Sequence, residues 1–501
     1  MPPPAVFTAL RHRNFRLFLV GQFVSLCGTW IQTVASGWLV LHLTNSAFQV
    51  GLVTTLGTLP ILLFTLYGGV VADRVNKHRL VLILQCLMVC EALTLGTLIV
   101  LDRITVHWVM GLAVFYGTLA AFEVPTRQSL IAEIVDREDL MNAIALGSSA
   151  FNAARVVGPA IAGVLISTLG LAACFFANAA SYVAVIYGLL VMRVDRRPPV
   201  EHRSALEAMR EGFAYVLGNR WPRAIVIIIA TFAVFGFSFI PMMPVFARDA
   251  LHLGADGYGA LMSAVGVGAA GAALFMAGLG GRGRRAKLVL GSSLLFALAI
   301  TGAALAPTFW SAVVLFMLAG SLMALAGIAA NTTLQTQAPD HLRGRVMGFY
   351  SFVVLGMAPF GALQAGWVAE HFGVRTAIAS GGVVCLLVSW AVAWRLGRSA
   401  ASSARSAGER KRASEPMRPP SEPEMQRPGG RRDRRPAGQT VRWPEGWWSR
   451  RPKKAAAREA TMELPALEAV AEQATFASGG AAAAAAPAAD APDADGPPGA
   501  E

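Results

Sequence analysis

Twelve long apolar segments constrain this chain more than any other feature of its sequence. A helix needs about 20 mostly apolar residues to cross a bilayer. The candidates are residues 15–42, 48–72, 80–101, 107–124, 143–167, 171–192, 224–246, 257–279, 287–306, 309–333, 346–369 and 373–395. Because 55% of the residues are hydrophobic and only 15% are charged, the sequence predicts an all-α integral membrane protein embedded in a lipid bilayer.

Positive charge tests the number of spans independently. The loops on the side of the N-terminus hold 21 Lys and Arg residues, whereas the opposite loops hold only Arg103, Arg248 and Arg375. Since such residues collect in the cytoplasm, the pattern predicts an even number of spans and two cytoplasmic termini. The net charge of +13 then reflects membrane topology, and no nucleic-acid partner is expected.

An internal repeat divides the spans into two six-helix pseudo-repeats. Three glycines of the fifth span recur at an offset of 203 residues: Gly158, Gly163 and Gly170 match Gly361, Gly366 and Gly373. The predicted domains are two bundles, 1–192 and 224–397, joined by a cytoplasmic loop, 193–223. Apolar residues at helical spacing predict an amphipathic helix over 204–217. Residues 398–501 are rich in Arg, Pro, Ser and Ala, which predicts a disordered cytoplasmic tail with or without a partner.

Signals of enzyme chemistry are missing from the sequence. It holds no phosphate-binding loop that ends in Gly-Lys-Ser/Thr, and its eight histidines form no pair at metal-ligand spacing on one span. All five cysteines lie in apolar segments, which excludes a disulfide scaffold and a paired-cysteine zinc site. We expect neither a metal nor a cofactor, and the chain is not predicted to be an enzyme.

Three ionisable residues in or near the spans are candidates for proton coupling: Glu91 in the third span, Arg155 in the fifth and Glu123 at the inner end of the fourth. A charge at the bilayer centre costs about 2.5–3.5 kcal/mol on insertion scales, so such residues tend to be paired and functional. One interpretation is a proton-binding carboxylate tuned by the arginine. The alternatives are a structural ion pair or, for Glu123, a solvated interfacial side chain.

Candidates for a substrate cavity lie on the first and seventh spans. A polar stripe follows one face of the first span, and its residues are Gln22, Ser25, Thr29, Gln32, Thr33 and Ser36. Phe235 and Phe239 lie near Pro241 and Pro244, which are expected to bend the seventh span. The stripe indicates either a cavity lining or polar contacts between helices, and the phenylalanines indicate either an aromatic wall or plain packing.

The loop after the second span resembles the signature of the major facilitator superfamily. It reads Gly69-Val-Val-Ala-Asp73-Arg74-Val-Asn76-Lys77-His78-Arg79 and differs from the signature at Asn76, where the signature has glycine and where we expect Asn to adopt a left-handed turn. The resemblance implies that Gly69, Asp73 and Arg74 latch the cytoplasmic side during conformational change.

The fifth span resembles a motif of drug/proton antiporters. It reads Ala154-Arg155-Val-Val-Gly158-Pro159-Ala-Ile-Ala162-Gly163, and the likeness implies that Gly158, Pro159 and Gly163 permit tight packing and bending between the halves. The start of the chain is similar to the subfamily that contains the bacterial enterobactin exporter and macrolide efflux proteins. The arginine that many antiporters carry midway along the fourth span is missing.

The resemblance implies a secondary active transporter of the bacterial inner membrane. It would export a small amphipathic or aromatic solute, either a siderophore or a drug-like compound, and protons would drive the export by antiport with alternating access. Two alternatives stay open: a metabolite importer of the same fold, and a membrane sensor or scaffold that acts through the C-terminal tail.

Overall fold

The computed structural model describes residues 5–192, 205–278, 285–339 and 341–413. These residues form helices joined by short turns, and none of them belongs to a β-strand. Twelve helices, two of them interrupted, are long and apolar enough to cross a membrane. The predicted number of spans is confirmed, and the chain is a multi-pass all-α membrane protein.

The first six spans are single helices: α1 (Arg13–Thr44), α2 (Ala47–Arg74), α3 (Lys77–Val100), α4 (Val106–Ile134), α5 (Leu140–Leu169) and α6 (Leu171–Val191). A short helix, α7 (Ala205–Gly218), precedes the second six spans. The seventh span combines α8 (Arg220–Thr231), a π-helical turn (Phe232–Gly236), α9 (Phe239–Val245) and a second π-helical turn (Phe246–Ala250). The others are α10 (Ala255–Gly278), α11 (Arg285–Ala304), α12 (Phe309–Gln337), the pair α13 (Arg343–Gly356) and α14 (Ala358–Phe372), and α15 (Val374–Ala413).

The bundle has two ends, which we name by the course of the chain. The end at which α1 begins is the N-face, and the end that holds the turns at Asn45, Gly170 and Gly373 is the opposite face. Gly170 and Gly373 close the fifth and eleventh spans with φ values of +84° and +85°. Because such angles favour glycine, the recurrence of one turn at two equivalent places agrees with the repeat in the sequence.

Proline residues interrupt the seventh and eleventh spans. Pro241 has no N–H group, so the Phe237 carbonyl loses its usual helical partner, and the chain turns there with a π-type bond from the Phe237 N–H to the Phe232 carbonyl oxygen at 2.7 Å. The span is thus interrupted just before Pro241, whereas Pro244 lies inside α9, and a bend at these prolines stays a prediction. Pro359 follows the break at Met357 in the eleventh span in the same way.

Two helices extend further than their apolar segments predict. α4 continues to Ile134, ten residues past the predicted end, because Thr126, Leu130 and Ile134 keep one face buried at four-residue steps. α15 continues to Ala413, past the predicted end of the twelfth span at residue 395. Alanine and arginine have high helix propensity, and no proline occurs from residue 398 to 413. Residues 414–501 lie outside the described part of the chain.

The predicted amphipathic helix is present as α7 and packs on the N-face end of the second half. The Tyr215 hydroxyl donates to the Gln337 carbonyl oxygen at 2.8 Å. The ring centroids of Phe213 and Phe349 are 5.4 Å apart. Most of the predicted loop before α7, residues 193–204, is outside the described residues.

Two seams of small residues join the halves in a pseudo-symmetric way. In the α5–α10 seam, a Cβ built on Gly259 would lie 2.5 Å from the Pro159 carbonyl oxygen and 3.0 Å from Gly163 Cα. In the α2–α14 seam, a Cβ built on Gly51 would lie 2.5 Å from the Ala362 carbonyl oxygen and 3.0 Å from Gly366 Cα. Only glycine permits backbones to approach this closely.

Each seam also carries a matching hydrogen bond between the halves. The Ser263 hydroxyl donates to the Val156 carbonyl oxygen at 3.0 Å. The Thr55 hydroxyl donates to the Pro359 carbonyl oxygen, also at 3.0 Å. Val156 and Pro359 are separated by the 203 residues of the repeat. The two hydrogen bonds are therefore accepted at equivalent positions of the two halves.

Substitution of a seam glycine is expected to destabilise the protein. Gly51→Val and Gly259→Val each place a side chain against backbone, which does not yield as a flexible side chain would, and overpacking of this kind costs about 1–3 kcal/mol. Thermal unfolding of the purified full chain measures the effect. Gly147→Val is the matched control, because a Cβ at Gly147 meets nothing within 4 Å. Equal unfolding temperatures for the seam and control variants would contradict this role of the seams.

Candidate functional site

The close glycine contacts of the two seams extend from the opposite face to about the middle of the spans. The α5–α10 seam runs from Gly163 to Arg155, whose carbonyl oxygen lies 2.6 Å from a Cβ built on Gly266. The α2–α14 seam continues as far as Gly356, where a built Cβ would lie 2.6 Å from the Leu62 side chain. Arg155 lies close to the middle of α5, and Gly356 ends α13 about halfway along the eleventh span.

Beyond these end points, the helices expose side chains on the N-face side. On α2 the exposed residues include Leu63, Phe64 and Tyr67, and on α10 they include Leu274 and Phe275. On α5, Ser148 and Ser149 are exposed and Asn152 is half-buried. Polar side chains of this kind are unfavourable against lipid, so we infer a cleft between the halves that opens at the N-face.

Two polar contacts close the opposite face. Glu370 of α14 accepts hydrogen bonds from the Ser46 hydroxyl at 3.0 Å and from the Phe48 N–H at 3.1 Å. Because these donors lie at the N-terminus of α2, the helix dipole adds to the attraction. Arg248 donates to the Asn45 side-chain oxygen at 2.8 Å. The sequence analysis predicted no contact between the halves for Glu370 or Arg248, although Arg248 is one of only three basic residues in the opposite loops.

The predicted gating residues on α2 lie on the N-face side of the cleft. A Cβ built on Gly69 meets nothing within 4 Å, and the Arg74 side chain is exposed. The Asp73 side chain lies outside the described residues. Asn76 differs from expectation: its φ is −69°, and its side chain accepts from the Arg79 N–H at 3.0 Å. Asn76 therefore replaces the signature glycine by capping α3 rather than by adopting a left-handed turn.

The predicted gating residues on α5 lie at the contact between helices. Gly158 faces α1, where a built Cβ would lie 2.9 Å from the Cys27 carbonyl oxygen, and Pro159 and Gly163 belong to the α5–α10 seam. The tight packing implied by the antiporter motif is present at these positions. Their part in conformational change stays a prediction.

A buried polar network occupies the first half, and its members are Gln32, Glu91, Asn178 and Ser181. The Glu91 carboxylate is 2% exposed and accepts from the Gln32 amide at 3.1 and 3.0 Å. Asn178 donates to the Gln32 amide oxygen at 2.7 Å, and the Ser181 hydroxyl donates to the Asn178 side-chain oxygen at 3.0 Å. This Glu91 network links α1, α3 and α6 within one bundle.

The other two ionisable candidates have different surroundings. Glu123 is buried and forms an ion pair with Arg127 at 2.8 Å, one helical turn away, and the Gln85 amide approaches it at 3.4 Å. Arg155 of α5 has no hydrogen-bond partner for Nε or Nη2 among the described residues. The structure therefore does not bring Glu91 and Arg155 together as a pair.

The remaining cavity candidates lie mostly inside the two halves. Gln22 and Ser25 are buried on α1, and the Thr29 hydroxyl donates to the Ser25 carbonyl oxygen at 3.0 Å. Phe239 is buried, with its ring centroid 5.7 Å from that of Phe316, whereas Phe235 is only half-buried. Whether any of them contacts a solute stays a prediction.

A groove in the second half escaped the sequence analysis. Its volume is about 320 Å³, and it is lined by Ala324, Gly327, Ile328, Asn331, Thr332 and Tyr350. The lining comes from α12 and α13 and combines apolar and amide surface, as small-molecule sites do. The signal that predicts it is the polar run Asn331-Thr332-Thr333 near the end of an otherwise apolar span.

The Glu91 network is expected to show strong coupling between its members. Gln32→Leu removes the donor to Glu91 and the acceptor of Asn178, which leaves buried polar groups unpaired at a cost of about 1–3 kcal/mol each. The double variant Gln32→Leu with Glu91→Leu should be more stable than Gln32→Leu alone. Thermal unfolding of the four proteins in this cycle measures the coupling. Strictly additive effects would contradict it.

Comparison with known proteins agrees with this architecture. The transmembrane secretion effector family, MFS_3, matches residues 4–421. The staphyloferrin A transporter of Staphylococcus aureus is 27% identical over 371 residues, covering 72% of this chain and 90% of that protein. The enterobactin exporter EntS of Escherichia coli is 29% identical over 388 residues, covering 75% and 92%.

Solved structures share the fold at low sequence identity. A bacterial homologue of the human lysosomal transporter Spinster, in an inward-facing and unoccupied conformation, has a TM-score of 0.59 at 15% identity and covers 77% of this chain and 96% of its own. A POT family transporter has a TM-score of 0.62 at 9% identity, with the same shares. Twelve spans in two pseudo-repeats, together with a family match over most of its length, show that the chain belongs to the transmembrane secretion effector family of major facilitator transporters.

Proposed function

We propose that this transporter exports a siderophore or a similar amphipathic solute from the bacterial cytoplasm, driven by proton antiport. The observation that carries the proposal is the position of the close glycine contacts between the halves, which lie toward the opposite face and support a cleft that opens at the N-face. The similarity to a staphyloferrin A transporter and an enterobactin exporter supports a siderophore as the cargo.

The distribution of basic residues supports the direction of the cleft. Lys and Arg are abundant in the N-face loops and scarce on the opposite face, which favours an N-face in the cytoplasm. Both termini would then be cytoplasmic, and the conformation would be the one that loads a cytoplasmic solute. Export requires the N-face to close and the seams to part, and the open space around Gly69 leaves room for that closure.

Glu91 is the residue that we propose for proton binding. Within the described residues, its carboxylate accepts hydrogen bonds from a neutral amide and forms no ion pair. A buried carboxylate without a cation carries a desolvation penalty of several kcal/mol, so proton uptake is a direct way to remove the charge. Glu123 differs because Arg127 neutralises it.

The Glu91 network offers a path from proton binding to the polar contacts that close the opposite face. Gln32 lies on α1, and the same helix ends at Leu41–Asn45, where Arg248 of the second half binds the Asn45 side chain. The thirteen residues from Gln32 to Asn45 span about 20 Å at 1.5 Å per residue. Protonation of Glu91 weakens a charge-assisted bond to Gln32 and so releases α1 from α3. We propose that this release loosens the closed face.

Transport in inside-out vesicles tests the proposal. The vesicles hold a proton gradient that a pH-sensitive dye reports, and metal-free enterobactin, staphyloferrin A and a macrolide are added in turn. We expect one class of compound to dissipate the gradient through the wild-type protein, and Glu91→Gln to abolish that response because an amide binds no proton. Glu138→Gln is the control, since Glu138 is exposed on the N-face.

Two results would contradict parts of the proposal. Loss of the response in Glu123→Gln with full activity in Glu91→Gln would move the proton site to the fourth span. Solute accumulation in the vesicles without any change of the gradient would show transport that does not depend on protons.

A further inference from the structure

Arg155 lies where the two halves of the protein diverge. Its carbonyl oxygen lies 2.6 Å from a Cβ built on Gly266, which is the close glycine contact of the α5–α10 seam nearest the N-face. One turn before it, the Phe151 ring lies 6.0 Å from that of Trp30 on α1. One turn after it, Gly158 packs against α1, and Pro159 packs against Gly259 of α10. Since residues at these spacings share a helix face, Arg155 lies in the angle between α1 and α10, at the apex of the cleft.

The guanidinium of Arg155 lacks the partners that a buried charge needs. Its Nε and Nη2 atoms are shielded from solvent and have no hydrogen-bond partner within the described residues. Two other partly buried arginines in the described chain have such partners. Arg127 forms an ion pair with the Glu123 carboxylate. Arg375 donates hydrogen bonds to the carbonyl oxygens of Ala304, Ala306 and Ala250. A guanidinium presents several donors in a planar fork that suits an anionic oxygen group.

A polar surface leads to this guanidinium from the N-face. Ser148 is exposed and Asn152 is half-buried, and both share the face of α5 that carries Arg155. The Asn152 amide donates to the Ser148 carbonyl oxygen at 2.9 Å, so it makes a local bond and leaves the guanidinium unbound. A charged solute can follow this surface into the cleft without losing all of its hydration at once.

We infer that Arg155 is the binding site for an anionic oxygen group of the transported solute, either a carboxylate or an acidic catechol. The inference rests on the proposed export function and adds the substrate class to it: the cargo carries a negative charge, and this charge binds at the apex of the cleft. The same oxygen chemistry could also come from the phosphate of an anionic lipid, and the experiment below separates the two sources.

Matched acidic and neutral probes test the inference. The full chain is placed in nanodiscs of zwitterionic phosphatidylcholine, and binding of citrate and 2,3-dihydroxybenzoate is compared with binding of trimethyl citrate and 2,3-dimethoxybenzamide, which carry neither a carboxylate nor a catechol, by calorimetry and thermal unfolding. The wild-type protein should bind each acid at least about tenfold more tightly than its neutral counterpart. Arg155→Gln should bind acid and neutral probe equally, and Arg155→Lys should keep part of the preference because the charge remains without the fork.

A charge-removing variant elsewhere on the N-face is the control, and two results would overturn the inference. Arg137→Gln removes a positive charge from an exposed N-face position and should keep the full preference. If Arg155→Gln prefers the acids as strongly as the wild-type protein does, the inference is wrong and the proposed export function is unaffected. If the wild-type protein binds none of the four probes, the inference is wrong, and vesicle transport then decides the proposed function separately.

A second lipid composition tests the alternative source of the anion. The thermal unfolding measurement is repeated in nanodiscs that contain phosphatidylglycerol. If the anionic lipid stabilises the wild-type protein but not Arg155→Gln, and the wild-type protein has no preference for the acidic probes, the guanidinium binds a lipid phosphate and the inference about the cargo is overturned. A preference for the acids in both lipid compositions supports it.

Discussion

Close backbone contact between the two halves is the constraint on which the rest of this structure depends. Association of helices in a membrane gains little from the hydrophobic effect, because the lipid is as apolar as the side chains. The halves instead meet where Gly51 and Gly259 allow carbonyl groups to approach, and each seam adds one hydroxyl-to-carbonyl bond. Backbone contacts of this kind contain no interlocking side chains, which would suit the opening and closing that the proposed transport cycle requires.

The two buried charges lie in different parts of the structure: one inside a bundle and one at the interface between the halves. Glu91 lies inside the first half, within a network that connects three helices of the same bundle. Arg155 lies at the junction of the halves, and its Nε and Nη2 atoms have no hydrogen-bond partner among the residues that the structure describes. The proposed proton and the proposed cargo therefore act on different packing units. We propose that α1 couples them, since it contributes Gln32 to the network and Asn45 to the contact with Arg248.

Much of the fold could be predicted from the sequence because membrane constraints are strong. Hydropathy, the placement of Lys and Arg, and the glycine repeat were sufficient for twelve spans and for the turn at Gly170 and Gly373. Helix ends were less predictable: α4 and α15 continue past their apolar segments, because a polar but helix-favouring sequence follows. Asn76 shows a similar limit, since a cap and a left-handed turn both favour asparagine.

The sequence identified individual residues of the site but not the contacts between them. Glu91 and Arg155 were recognisable as charges in apolar segments, but their partners come from helices distant in the sequence, such as Gln32, which lies 59 residues before Glu91. Glu370 and the polar run at Asn331 were less distinctive, because polar groups near helix ends are common. The domain boundaries and the roles of the gating residues stay predictions.

Distances between spin labels at the two faces test the central claim most directly. With the exposed Cys86 and Cys90 replaced by alanine, one label pair is placed at Met141 and Leu274 near the N-face and another at Leu43 and Phe372 near the opposite face. Pulsed electron resonance then records both distances in the full chain at alkaline and acidic pH. The account predicts reciprocal changes: the N-face distance shortens when the opposite-face distance lengthens. Distances that stay fixed under both conditions, or that change in the same direction, would contradict it.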